Sequence, residues 1–158
     1  MTIDINAQKT QVLALVNAGQ LTEALAALSE VCARTPQDAD AWYLRGAVHH
    51  RLGQVADAIA AFRQAVAVNP AHIQALTYLG AMLEMSRDLA GAEDCYRTVL
   101  GVDPDNALVR YNLGNVLYKT GRHTDAVEQL RIAVRLNDDS AEIHFALGVA
   151  LKELGDRG

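Results

Sequence analysis

The sequence predicts an all-α fold, a solenoid of about nine helices paired as antiparallel hairpins. Three observations predict it. Pro36, Pro70 and Pro104 stand 34 residues apart. The same interval links Gly46, Gly80, Gly114 and Gly148, and again Ala24, Ala58, Ala92 and Ala126. Between these fixed points apolar residues recur at helical spacing, as Trp42, Leu44, Val48 and Leu52 do around Gly46. A period of this length is one helical hairpin, which hides its apolar face only by stacking on neighbours.

The elements follow in order. The first helix carries Asn6, Gln8, Lys9, Thr10 and Gln11, a polar set that suits the water-facing end of a stack. It stops at Gly19, and its partner helix, with Ala24, Leu28 and Val31, runs to the Thr-Pro at 35–36. Proline excludes helix for the residue before it. Asp38 then caps a third helix, which ends at Gly53, and a fourth runs through Ala58, Phe62 and Ala65 to Pro70. The next hairpin repeats the plan, except that Arg87 stands where Gly19, Gly53, Gly121 and Gly155 supply the left-handed stop. The least regular corner is therefore expected at Ser86-Arg87-Asp88. Asn106 caps the seventh helix, Gly121 ends it, and the eighth closes at Asp138, where a proline would fall. Ser140 caps a ninth helix over 140–154 that has no partner.

Glycine inside a helix costs about 1 kcal/mol relative to alanine, so four of them in one column need a reason. Close approach of the paired helices, glycine against the alanine column, is the expected one. Larger residues, Leu28, Phe62, Tyr96 and Leu130 with Val31, Ala65, Val99 and Ala133, then form the core.

Trp42, Gly46, Gly53, Ala58, Phe62, Ala65 and Pro70, with their echoes, resemble the tetratricopeptide repeat. The resemblance covers nearly the whole chain as a single domain, 1–158: a degenerate capping hairpin over 1–36, full repeats at 37–70, 71–104 and 105–138, and an unpaired helix in 139–158. Val12, Arg45 and Asp138 depart from the pattern. The resemblance implies a right-handed superhelix whose first helices line a concave, peptide-binding groove. The groove residues it implies are Tyr43, His50, Arg51, Tyr78, Glu84, Tyr111, Asn112, Asn115, Tyr118 and Lys119. Asn112 and Asn115 suit a peptide backbone; Lys119 or Arg51 suits a carboxylate. Neither the basic clamp for chaperone tails nor the asparagine ladder of the sugar-transferase repeats is complete, since Thr77, Ala81, Glu142 and Ala146 occupy the neighbouring positions.

Composition narrows the function class. A net charge of −5 and a pI near 5.4, with 14 scattered basic residues, argue against nucleic acid, whose phosphates need clustered cations. No apolar run approaches the roughly 18 residues of a membrane span. The start lacks a secretion signal, and Cys32 and Cys95 form no ligand spacing, so a cytoplasmic protein with two buried thiols is expected, and the resemblance adds a bacterial-style source. His49 and His50 point about 100 degrees apart on a helix and cannot share a metal. No catalytic set, cofactor motif or metal site stands out, and a non-catalytic interaction scaffold is the expected function. The alternative is the amino-terminal module of a larger bacterial enzyme of sulfotransferase, glycosyltransferase or methyltransferase type. The apolar run from Ile143 to Leu151 has no covering helix, which suggests either a fragment of a longer protein or a homodimer through Ile143, Leu147 and Leu151.

Overall fold

The structure, a computed structural model, describes residues 5–155, with side chains from residue 7 onward. The expected cap residue Asn6 and the first four and last three positions lie outside the described side chains. Nine helices occupy the described residues: α1 (Ile5–Asn17), α2 (Leu21–Arg34), α3 (Ala39–Arg51), α4 (Val55–Val68), α5 (Ile73–Met85), α6 (Leu89–Val102), α7 (Ala107–Lys119), α8 (His123–Leu136) and α9 (Ala141–Gly155). The chain divides into two compact units, Met1–Leu79 and Gly80–Gly158, and the division falls inside α5.

In the first unit, Val12, Ala24, Leu28 and Val48 form one buried cluster that joins α1, α2 and α3. A second cluster of Val31, Cys32 and Ala41 packs under Trp42. In the second unit, Tyr96, Leu113, Leu117 and Leu130 are all but fully buried, and Val127 and Leu130 of α8 meet Ala150 of α9. Both cysteines are buried.

The glycine column is explained differently from the expectation. What crowds Gly46, Gly80 and Gly114 is the bulky residue of the partner helix, not the alanine column, and a β-carbon at Gly148 would meet nothing within 4 Å. A β-carbon at Gly80 would lie 2.6 Å from Cε1 of Tyr96, and one at Gly114 would lie 2.6 Å from Cγ of Leu130. Glycine makes the notch into which that ring or isobutyl group fits.

The turns correct a second expectation. Gly19, Gly53 and Gly121 are left-handed, with φ of 76°, 73° and 79°, and Arg87 adopts the same conformation at φ 67°. Its corner is as regular as the others: Arg87 N donates to Glu84 O at 3.1 Å and Asp88 N to Leu83 O at 2.9 Å. The matching pairs at Gly53 and Gln54 are both 2.9 Å. The hydrogen bonds of the corner hold a non-glycine residue where its β-carbon is disfavoured.

Asp38 and Asn106 cap their helices through Ala41 N and Val109 N, and Ser140 makes a longer 3.4 Å contact to Ile143 N. The remaining member of this column is His72, whose Nδ1 accepts from Ala75 N at 3.2 Å. Its Nε2 then carries the proton and donates to Asp40 Oδ1 at 3.1 Å. A further column was hidden by chemical variety. Trp42 donates to Pro36 O, Arg110 to Pro104 O and His144 to Asp138 O. The carbonyl six residues upstream is the common acceptor, which explains why Asp138 can replace proline.

Candidate functional site

The ten residues expected on one face fall in both units. In the first, Tyr43, His50 and Tyr78 join an aromatic cluster with Phe62 and His72. Tyr43 lies 5.2 Å from His72 and 6.0 Å from Tyr78 between ring centroids. Tyr78 stacks on Phe62 at 5.6 Å, and His50 sits 6.0 Å from Tyr78. Burial and the neighbouring Tyr78 push the Tyr43 phenol above its ordinary range. These rings mostly pack on one another, and Tyr78 keeps 39% of its surface exposed. Arg51 spends one N–H on Val16 O at 2.9 Å, closing the end of α1.

In the second unit, Lys119 pairs with Glu84 at 2.6 Å. The carboxylate expected to come from a partner is thus already supplied from within the chain. Burial, and then Glu84, raise the Tyr96 phenol strongly, so its hydroxyl stays protonated and donates to Glu84 Oε2 at 3.4 Å.

Tyr111, Asn115 and Tyr118 come together. With Glu142, Phe145 and Val149 they line an open cleft of about 400 Å³ between α7 and α9, floored by Leu130. Helical spacing of 3–4 residues puts 111, 115 and 118 on one face of α7, and 142, 145 and 149 on the facing side of α9. Tyr111 and Tyr118 rest on the Val127–Leu130–Ala150 core, and Tyr118 also meets the His123 ring edge-on at 5.1 Å. Asn115 makes no hydrogen bond, and Glu142 no ion pair, among the described residues. Asn112 lies half-buried on the same helix. Phe145, 75% exposed, is the site residue that sequence reasoning missed. Its place in the column of Tyr43 and Tyr111 was the available signal.

The three residues of the expected self-association set differ in exposure. Ile143 is only 4% exposed, and Leu147 packs on Val127, Leu130 and Ala150. Leu147 thus serves the contact of α9 with α8, and Leu151 alone of the three is open, at 38%.

No helix among the described residues is long and apolar enough to cross a membrane. Nor do the described residues hold a group of three or more His, Cys, Asp or Glu placed to bind a metal.

Comparison with known proteins supports the reading of the repeat. The family model described as tetratricopeptide repeat matches residues 9–73 and 51–107, and one described as TPR repeat matches 114–155. No curated protein matches the chain in sequence. Among solved structures, MamA 41-end from Desulfovibrio magneticus RS-1 is 22% identical, with a TM-score of 0.88 over 96% of this chain and 86% of that one. YrrB, described as a TPR protein with an unusual peptide-binding site, is 18% identical, with a TM-score of 0.87 over 98% of this chain and 79% of that one. At these identities the likeness is one of fold.

Proposed function

The chain belongs to the tetratricopeptide repeat family, and from that premise we propose that it is a non-catalytic scaffold holding a peptide segment of a protein partner in the cleft between α7 and α9. The observation that carries this reading is the placement of Asn115, an unengaged amide, between the aromatic walls Tyr111, Tyr118 and Phe145. An amide offers both a donor and an acceptor, which is what a peptide bond requires. Tyrosine and phenylalanine give large contact area at low entropic cost. Glu142 at the rim favours a basic residue in the bound segment. The fitting ligand is a short segment with one large apolar side chain beside a lysine or arginine.

That YrrB, a protein of the same fold, is described as having a peptide-binding site supports a peptide as the class of ligand. A library of short peptides screened by fluorescence anisotropy should yield binders of this composition. Tyr111→Ala combined with Asn115→Ala should weaken the best of them by about tenfold or more. Equal affinity for the double variant would remove the cleft from consideration.

A further inference from the structure

The corner between α5 and α6 is built on a residue that the backbone disfavours. Arg87 stands at φ 67° where Gly19, Gly53 and Gly121 occupy the matching corners. A glycine would present no side chain there. Arg87 presents a guanidinium that is exposed and makes no ion pair among the described residues. A disfavoured conformation held by a charged, unpaired side chain is characteristic of a residue kept for binding.

That guanidinium lines an open pocket of about 410 Å³ with Glu84, Met85, Leu89 and Lys119. The carboxylate of the pocket is already engaged on both oxygens: Glu84 Oε1 accepts from Lys119 Nζ at 2.6 Å, and Oε2 from the Tyr96 hydroxyl at 3.4 Å. Asp88, the next residue along, turns its carboxylate to Gly91 N at 2.9 Å and caps α6. Glu93, further along α6, is held by Arg97 and Arg122. The pocket therefore keeps one surplus positive charge, carried by Arg87 and by the N–H groups that Lys119 does not spend on Glu84. Met85, 64% exposed, adds a flexible apolar wall.

The pocket abuts the peptide cleft, since Tyr118 lines the one and the next residue, Lys119, lines the other. Glu142, the carboxylate of the cleft, is the 34-residue counterpart of Leu108 in the first turn of α7, whereas Lys119 ends that helix. From Leu108 to Lys119 the helix rises about 16 Å, a span that an extended chain covers in about five residues.

We propose that this pocket is a subsite for the carboxylate of a glutamate in the bound segment. The scaffold then selects a lysine or arginine toward Glu142, a large apolar side chain in the cleft, and a glutamate about five residues from the basic one. The proposal rests on the reading of the α7–α9 cleft as a peptide site. A carboxylate, with one negative charge, balances the surplus, whereas a phosphate dianion would exceed it. Its two oxygens match the fork of the Arg87 guanidinium, and the glutamate methylenes have Met85 to lie on.

The probes are alanine peptides with lysine first, phenylalanine third and glutamate sixth, the same sequence reversed, and a twin of each with glutamine for glutamate. All carry fluorescein at the amino end and an amide at the carboxyl end, so the glutamate side chain is the sole carboxylate of the peptide. In anisotropy titrations of the whole protein, the better glutamate peptide should bind about threefold to tenfold more tightly than its twin. Arg87→Gly should erase that preference while melting no lower than wild type, and Arg87→Lys should keep most of it. Equal affinity for glutamate and glutamine peptides, or a preference that survives Arg87→Gly, would overturn the subsite and leave the cleft standing. Absence of binding by all four peptides up to about 1 mM, or binding that Tyr111→Ala with Asn115→Ala leaves untouched, would overturn cleft and subsite together.

Discussion

A β-carbon placed on Gly46 would stand 2.6 Å from Cδ1 of Phe62. The glycine is thus the complement of one particular ring, and the same relation recurs at Gly80 with Tyr96 and at Gly114 with Leu130. The identical substitution should therefore have opposite signs along one column. Gly46→Ala, Gly80→Ala and Gly114→Ala gain about 1 kcal/mol of helix propensity. Each should still destabilise, because overpacking a filled core costs about 1–3 kcal/mol. Gly148→Ala meets open space and should stabilise by about 0.5–1 kcal/mol. Urea midpoints of the four variants check this, and a uniform sign would refute the notch account.

Arg87 holds φ at 67° where three other corners use glycine. For an L-residue that conformation costs about 1–2 kcal/mol. Part of this returns through the greater freedom of glycine in the unfolded chain. Arg87→Gly should raise stability by roughly 0.5–1 kcal/mol in equilibrium unfolding. A loss would show that the arginine makes an interaction worth more than its backbone strain.

His123 is 9% exposed, and neither ring nitrogen finds a hydrogen-bond partner among the described residues. Leu21 and Leu89 hold the same place at the start of α2 and α6. An unmet buried polar group costs about 1–3 kcal/mol. His123→Leu should accordingly raise the urea midpoint by an amount in that range; a drop would place a water or partner at the ring.

The acid limb of stability should depend on Asp38 and Glu93. Burial pushes the Asp38 carboxyl up, but Lys9 and the Ala41 N–H outweigh it and hold it below the ordinary value. Burial likewise opposes Arg97 and Arg122 at Glu93, and the arginines win. A depressed carboxylate stabilises the fold fully above its unfolded pKa and loses that contribution as pH falls through the folded one. Stability should therefore decline below about pH 4. Asp38→Asn keeps a side chain able to cap α3, and it should flatten that decline when unfolding is followed across acid pH. An unchanged slope would exclude Asp38 as a source.

Much of the architecture was legible because each column used one residue type. Glycine at 19, 53 and 121 announced its turns, and Asp38 and Asn106 their caps. Where one task passes among chemically different residues, the column disappears from view. His72 caps a helix as Asp38 does, and Trp42, Arg110 and His144 all reach the same carbonyl. Of the residues that line the α7–α9 cleft, Tyr111, Asn115 and Tyr118 stood among those the family resemblance implied, whereas Phe145 was read as part of an apolar run.

The sequence by itself determined the period, the helices and their corners, because backbone preferences and apolar spacing are local and repeat every 34 residues. Only the tertiary structure decided which partners fill which spaces. It put Phe62 rather than Ala58 against Gly46, gave Lys119 to Glu84, buried Ile143 and left Phe145 open. Those outcomes depend on how side chains from different helices share volume and charge, which no single column records.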